Sequence, residues 1–364
     1  MLSKLTLIVT HECNLRCTYC YAEGGDFGLP IGIMSKDTAI EIINHFMDSF
    51  KGIDEIFFFG GEPLLAIKTI EAVCNECKNL FDLKQISQIP KFTLITNGVA
   101  ITKQFAELAL KFDFGVTVSI DGPADIHDLH RKTITGKGSF QQVIKGINLL
   151  KEYGISFSVE CTYTRDHWKA GYSPIDIYSY LQSLGARSII LTEQLDFEIN
   201  NKNNEPQIDY KYQLYSSSID LFTQAINECF SNNKIQHSGL LKTYDSILNK
   251  PKHIKQRFCG AGINNFAVNP SGETYPCHML NNQHEFSLGN YHDIDSTIEI
   301  LPQKKDFIEC TSCSVKELCR ACPARMYFYH RNKEISPIQS ECRVIRAFSY
   351  LAMNSLLNSS QIEC

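Results

Sequence analysis

An α/β chain built on a mainly parallel sheet, followed by a smaller cysteine-rich domain, is what the sequence predicts, and three observations carry that prediction. Short apolar runs alternate with helical patterns through the first half, the signature of repeated strand–helix units. The chain has 364 residues, too many for one average domain of roughly 100–200. More than half of its 15 cysteines fall at or beyond Cys259, where long apolar periods thin out.

Strands are expected at 5–10, 55–59, 92–96, 115–120, 155–162 and 188–191, each a short apolar run rich in β-branched or aromatic residues. Between the first two, Ala39, Ile42, Ile43, Phe46, Met47 and Phe50 recur at helical spacing behind a Ser35 cap, an apolar stripe able to cover a sheet face. Comparable helices are expected at about 66–81, 102–112, 139–153, 174–184 and 209–231. The polar stretch 200–207 reads as a surface loop, and Asn269-Pro-Ser-Gly272 as the turn of a hairpin between 265–268 and 273–276. The expected divisions are a sheet domain over 1–200, a helical insertion or bridge over 201–254, and a cluster-supported domain over 255–364.

Lys and Arg number 35 against 40 Asp and Glu, a net charge of -5 that excludes the basic footprint of a nucleic-acid binder. Met1–Thr10 is a short apolar run that meets His11 and Glu12, unlike a signal peptide, and no run approaches the roughly 20 apolar residues of a membrane span. The expectation is a cytoplasmic protein with neither nucleic-acid nor membrane partners. Thiols are kept reduced there, so clustered cysteines read as metal ligands rather than bridges.

Directly after the first expected strand stands Cys13-Asn-Leu-Arg-Cys17-Thr-Tyr-Cys20. Three thiolates can hold three irons of a 4Fe-4S cubane and leave the fourth open to a non-protein ligand. A zinc site is the alternative, although the spacing matches neither a zinc knuckle nor a ferredoxin run. The loop resembles the hallmark of the radical S-adenosylmethionine (SAM) superfamily, where it follows the first strand of a partial (β/α)6 TIM-like barrel. The resemblance implies that SAM chelates the open iron and that cluster reduction cleaves it to a 5'-deoxyadenosyl radical, the protein supplying orientation and exclusion of water.

Other positions extend that resemblance. Gly60-Gly61-Glu62-Pro63 is similar to the family's GGEP motif, which implies that Gly60 and Gly61 bring backbone close to the methionyl part and that Glu62 accepts from its ammonium. Tyr19 matches the aromatic that contacts adenine. Ser119 and Arg131, in and after Ser119-Ile-Asp-Gly122, match the hold on the SAM ribose and carboxylate, and Leu191 an apolar adenine contact. Each has a plainer reading by itself: a turn, a packing aromatic, a solvated charge, a core leucine.

Cys259, Cys277, Cys310-x2-Cys313-x5-Cys319-x2-Cys322 and Cys342 form an ordered array that resembles the SPASM domain, a C-terminal extension binding two auxiliary 4Fe-4S clusters. A zinc ribbon is the alternative for 310–322 alone. The resemblance implies that Cys310, Cys313, Cys319 and Cys342 hold one cluster and that Cys259, Cys277 and Cys322 hold the other. The second set is one short, because Asn265 stands where some relatives have a fourth cysteine, so an iron there is open or bound by substrate. Cys74 and Cys77 read as structural, and Cys161, Cys229 and Cys364 belong to no constellation.

Enzymes resembling this one modify peptides or proteins. Sulfatase maturases make formylglycine and carry an aspartate after the cysteine that here is Cys277; this chain has His278. The segment Tyr275-Pro-Cys-His-Met-Leu-Asn-Asn282 looks more like maturases of thioether-bridged peptides, which implies a Cys-sulfur-to-carbon cross-link in a cysteine-containing peptide or protein. Formylglycine formation and carbon–carbon cross-linking are the alternatives, and a non-enzymatic metal-binding regulatory module is the rival outside catalysis. His278 is a candidate base or a donor to cluster sulfur, and Glu193 a candidate partner for a substrate amine. The expected partners are three 4Fe-4S clusters, SAM and a flavodoxin- or ferredoxin-type electron donor. Many peptide maturases begin with a leader-binding domain, whereas the first strand here starts at residue 5. Leader recognition then falls to a separate protein, to the 200–255 insertion, or is not needed.

Overall fold

The structure, a computed structural model, describes residues 1–194, 206–232, 234–249, 256–331 and 334–359, without the side chains of 206–212 and 359. Its strands are β1 (Lys4–Thr10), β2 (Glu55–Gly60), β3 (Lys91–Thr96), β4 (Gly115–Ser119), β5 (Phe157–Tyr163), β6 (Ser188–Glu193), β7 (Asn265–Val268) and β8 (Thr274–Tyr275). The strand order is β6-β5-β4-β3-β2-β1-β7-β8, so the six strands expected from the sequence stand side by side in chain order, as a partial (β/α)6 barrel requires. β1, β2, β3, β4 and β7 pair in parallel, with Leu5 opposite Ile56 and Phe57 opposite Thr93. The expected hairpin is present, β8 running antiparallel to β7 with Val268 opposite Thr274.

The helices are α1 (Lys36–Phe50), α2 (Ile67–Asp82), α3 (Lys103–Lys111), α4 (Ala124–His130), α5 (Phe140–Glu152), α6 (Arg165–Lys169), α7 (Pro174–Ser183), α8 (Pro206–Asn232), α9 (Ser238–Asn249), α10 (Ile308–Thr311), α11 (Pro323–Tyr329) and α12 (Gln339–Ser359). Packing divides the chain into two compact units, Met1–Ser158 with Ala261–Ile300 and Val159–Gly260 with Leu301–Cys364. These units follow packing, whereas the divisions expected at 200 and 255 follow motif content.

In the first unit, the Ser35 hydroxyl accepts from the Thr38 amide at 3.0 Å and starts α1, whose Ala39, Ile42, Ile43, Phe46 and Met47 are buried. Phe58 of β2 stacks with Phe92 of β3 and with Phe114, at 6.2 and 6.0 Å, and Phe105 of α3 meets Phe114 edge-on at 6.0 Å. Each such ring contributes about 1.5–3 kcal/mol by leaving water, which holds the helices against the sheet. Side chains alternate across a strand, so Phe57 and Phe59 project from the opposite face.

Two apolar clusters among the described residues of the second unit bear on the cysteine-rich region. Phe222, Leu240, Tyr244 and Ala352 join α8, α9 and α12, with Phe222 stacked on Phe348 at 4.0 Å. Phe258, Ala321, Met326 and Ile338 form the other, against which Cys310, Cys319 and Ile345 pack.

Several features depart from expectation. The 21-residue α12 lies where the sequence shows few long apolar periods, because Ile345 serves one core and Phe348, Leu351 and Leu356 the other, so its stripe drifts. α4, α6, α10 and α11 are too short to give a helical period, and α9 is expected only as part of the helical bridge over 201–254. Of the loop expected over 200–207, residues 200–205 lie outside the described residues, and Pro206 and Gln207 belong instead to the first turn of α8, where proline is tolerated.

Candidate functional site

The loop after β1 is fastened from two sides within the first unit. Gly61 N donates to Thr10 O at 3.0 Å and Glu62 N to Glu12 O at 2.8 Å, which ties it to the end of β2. Arg16 N donates to Lys132 O at 2.7 Å and Thr18 N to His130 O at 3.2 Å, which ties it to the end of α4 and the residues beyond. Arg16 closes the loop on itself through the carbonyls of Cys13 and Leu15, at 2.9 and 2.8 Å.

Cys13, Cys17 and Cys20 are half-buried in this frame. Burial pushes the Cys13 thiol up to about 12 and the Cys17 thiol up to about 11, and each feels the charge of its cysteine neighbours. Backbone amides nevertheless point at the sulfurs, Leu15 N at Cys13 Sγ and Gly24 N at Cys20 Sγ, both at 3.4 Å. Thiols that resist ionisation alone, yet sit among N–H donors, suit a metal centre that removes their protons and leaves anionic sulfur to be hydrogen-bonded. An iron–sulfur cluster therefore fits the donor set. Among the described residues, no three His, Cys, Asp or Glu side chains are grouped to hold a single metal ion.

The Gly60-Gly61-Glu62 corner is shaped by close approach. Gly60 has φ +150°, and a Cβ there would stand 2.4 Å from Thr10 O; a Cβ on Gly61 would stand 2.2 Å from Glu12 O and 3.0 Å from Cys13 Cβ. Glu62 is buried, and its carboxylate accepts from Leu64 N at 3.1 Å, Thr96 Oγ1 at 2.7 Å and Asn97 N at 2.7 Å. Burial pushes it up to about 7 in spite of those donors. The carboxylate expected to face SAM thus also clamps the ends of β2 and β3 together. Asn97, which sequence reasoning misses, donates to Asn14 Oδ1 at 2.6 Å and stands 3.8 Å from Cys13 Sγ. Its only trace in the sequence is the polar Thr96-Asn97-Gly98 closing the third strand.

A second missed residue organises the other flank. Asp121 accepts from Arg131 Nε at 2.9 Å and Arg131 Nη2 at 3.1 Å, a forked ion pair buried on both sides. Burial works to raise the Asp121 carboxyl, but the Arg131 guanidinium outweighs it and holds the group below its ordinary range. The Tyr19 hydroxyl also donates to Asp121, and the guanidinium lies over the Tyr19 ring, 5.5 Å from its centre. The Arg131 charge also works against burial at Cys17, lowering the affinity of that thiol for its proton. Behind it, Ser139 Oγ donates to Arg131 O at 2.7 Å and meets His127 Nε2 at 3.0 Å. Tyr19 and Arg131 are therefore brought together beside the cysteine loop, and Ser119 is buried at the end of β4.

The remaining candidates are dispersed. His278 follows Cys277 in the first unit, its Nδ1 3.8 Å from the Cys277 sulfur and its ring 4.4 Å from that of Phe59. Burial, with the Lys4 charge, pushes it down to about 4. Leu191 and Glu193 lie in β6 of the second unit, Glu193 exposed and its carbonyl accepting from Arg325 Nη1 at 3.2 Å. Cys277 belongs to the first unit and Cys259 and Cys322 to the second. Cys310, Cys313, Cys319 and Cys342, all in the second unit, line one cavity together with Lys304 and Phe258. Cys74 and Cys77 are buried in α2. No described helix is long and apolar enough to cross a membrane.

Comparison with known proteins agrees with this arrangement. Residues 7–165 match the radical SAM superfamily and residues 259–323 the SPASM iron-sulfur cluster-binding domain. A cysteine-type anaerobic sulfatase-maturating enzyme of Clostridium perfringens is 25% identical over 98% of both chains. The antilisterial bacteriocin subtilosin biosynthesis protein AlbA of Bacillus subtilis is 25% identical over 79% of this chain and 57% of its own. A solved structure of anSMEcpe with bound AdoMet superposes with a TM-score of 0.79 over 100% of both chains, at 23% identity. The protein is an enzyme acting on a peptide or protein substrate, whose radical SAM domain binds a 4Fe-4S cluster and SAM and whose SPASM domain binds auxiliary iron–sulfur clusters. The chain thus carries a radical SAM domain and a SPASM domain, with homology to the anaerobic sulfatase-maturating enzymes and AlbA.

Proposed function

We propose that the enzyme forms a thioether between a cysteine sulfur and a carbon of a peptide. Bound SAM and its reduced cluster would supply the 5'-deoxyadenosyl radical, while the protein's own groups bind and orient the reactants. Cys13, Cys17 and Cys20 hold that cluster, with the Leu15 and Gly24 amides and Asn97 donating toward their sulfurs. Gly60 and Gly61 leave room for the methionyl backbone, and Glu62 fixes that corner and offers its remaining acceptor capacity to the ammonium. Asp121 holds Tyr19 and Arg131 in place, so that the ring can face adenine while Arg131 and Ser119 hold the ribose and carboxylate. Leu191 packs on adenine, and Glu193 pairs with a substrate amine. Cys310, Cys313, Cys319 and Cys342 hold one auxiliary cluster, and Cys259, Cys277 and Cys322 the other. A flavodoxin- or ferredoxin-type protein donates electrons, and leader recognition falls to a separate protein or to the 200–255 segment, or is not needed.

The observation that carries this reading is His278. Where sulfatase maturases place an aspartate, this chain puts an imidazole against the rings of Phe57 and Phe59 with Nδ1 turned toward the Cys277 sulfur, which suits a hydrogen-bonding partner of cluster sulfur. Formylglycine formation is the second reading, and similarity along 98% of a cysteine-type sulfatase maturase favours it. Mass spectrometry separates the two. The reconstituted enzyme is given SAM and reductant with a sulfatase-type cysteine peptide, and separately with any short cysteine-rich peptide encoded beside its gene. The thioether reading expects the second to lose two hydrogens with its thiol blocked and the first to stay unchanged. An aldehyde on the first would establish the second reading instead.

A further inference from the structure

The cavity lined by Cys310, Cys313, Cys319 and Cys342 has a cation built into its wall. Lys304 is only 3% exposed, its amide donates to Gln256 O at 2.9 Å, and its ammonium donates to Lys316 O while lying 5.8 Å from the centre of the Phe258 ring. Lys316 and Glu309 also line the cavity but are exposed, and Arg346 is half-buried, so water screens their charges more than that of Lys304. Removing an ammonium from water costs several kcal/mol, and a carbonyl and a ring face return only part of it.

We propose that Lys304 is a fixed internal cation that sets the reduction potential of the iron–sulfur cluster held by Cys310, Cys313, Cys319 and Cys342. The inference rests on that ligand assignment. A cubane held by four thiolates is an anion, and taking one electron from an external reductant makes it one charge more negative with no proton moved. A positive charge held nearby in a poorly screened interior stabilises the reduced form and raises the potential. Lys304 touches neither substrate nor SAM in this account; it acts through the cluster.

The test is an EPR-monitored redox titration of the anaerobically reconstituted full chain, with dithionite as reductant, in a Cys13→Ala/Cys17→Ala/Cys20→Ala background that leaves only auxiliary signals. Lys304→Met keeps the stem without the charge, and Lys304→Gln keeps a donor for the Lys316 carbonyl. Both are expected to retain their iron and to show at least a tenfold lower reduced-to-oxidised ratio at fixed poise, about 59 mV for a one-electron couple. Lys304→Arg should restore the potential, and Lys305→Met, at the exposed neighbour, should leave it unchanged. Neutral variants with full iron and an unshifted potential overturn the proposal, as does loss of iron from the neutral and arginine variants alike. Loss from the neutral variants with retention in Lys304→Arg supports it. Failure of the underlying ligand assignment reads differently: Cys310→Ala would then keep all the auxiliary iron.

Discussion

Asp121→Ala removes the partner of a buried cation. The Arg131 side chain is 8% exposed and that of Asp121 0%, and two charge-assisted bonds of 2.9 and 3.1 Å join them. Breaking such a pair from one side leaves an uncompensated charge and costs about 3–5 kcal/mol, whereas replacing both partners by apolar groups is close to neutral. The single variant should therefore lose about 3–5 kcal/mol, and Asp121→Leu/Arg131→Met should recover most of it. Urea unfolding of the cluster-free, reduced protein, followed by far-UV circular dichroism with the slope held in common, measures both. Because Asp121 also accepts from Tyr19 and holds the Arg131 charge that acts on Cys17, the cluster-loaded single variant should bind SAM at least tenfold more weakly. A loss below about 1 kcal/mol, or a double variant as unstable as the two singles combined, would refute the reasoning, because an energetic coupling between the two residues is its content.

Two further outcomes are expected from the same geometry. Gly61→Ala puts a Cβ 2.2 Å from Glu12 O and 3.0 Å from Cys13 Cβ, so the cysteine loop must shift. The reconstituted variant should lack about four irons while its auxiliary signals remain, by iron assay and EPR. His237, buried against Phe222 and Tyr178 with Leu240 N donating to its Nδ1 at 3.1 Å, is pushed by burial from 6.5 down to about 4. The unfolded chain takes up that proton first, so stability from this group is complete above pH 6.5 and is lost as pH falls toward 4, by about 3 kcal/mol. His237→Gln should flatten that stretch of the urea-midpoint profile; a slope equal to wild type rejects it.

What the sequence made legible was local in the chain. Cys13, Cys17 and Cys20 lie within one loop, and the strand ends fall within two residues of expectation because each run is closed by glycine, proline or polar residues. Asp121, Asn97 and Lys304 were not legible. Their roles depend on partners brought near by folding, Tyr19 for Asp121, Asn14 for Asn97, and Cys310 and Cys319 for Lys304, and a polar residue near a loop has no period to announce it. Glu62 was found through its motif, yet three protein donors share the carboxylate that the motif alone assigns to SAM. α12 was missed because its apolar residues serve two cores and spell neither clearly.

On the proposed assignment the three-cysteine loop after β1 holds a cubane with one iron free for SAM. EPR of the anaerobically reconstituted and reduced enzyme, recorded before and after adding SAM and paired with chromatography for 5'-deoxyadenosine, tests it most directly. SAM is expected to change the spectrum of one cluster and to be cleaved, and Cys13→Ala/Cys17→Ala/Cys20→Ala to lose that signal, about four irons and all cleavage. A spectrum indifferent to SAM, or cleavage that persists in the triple variant, would contradict it.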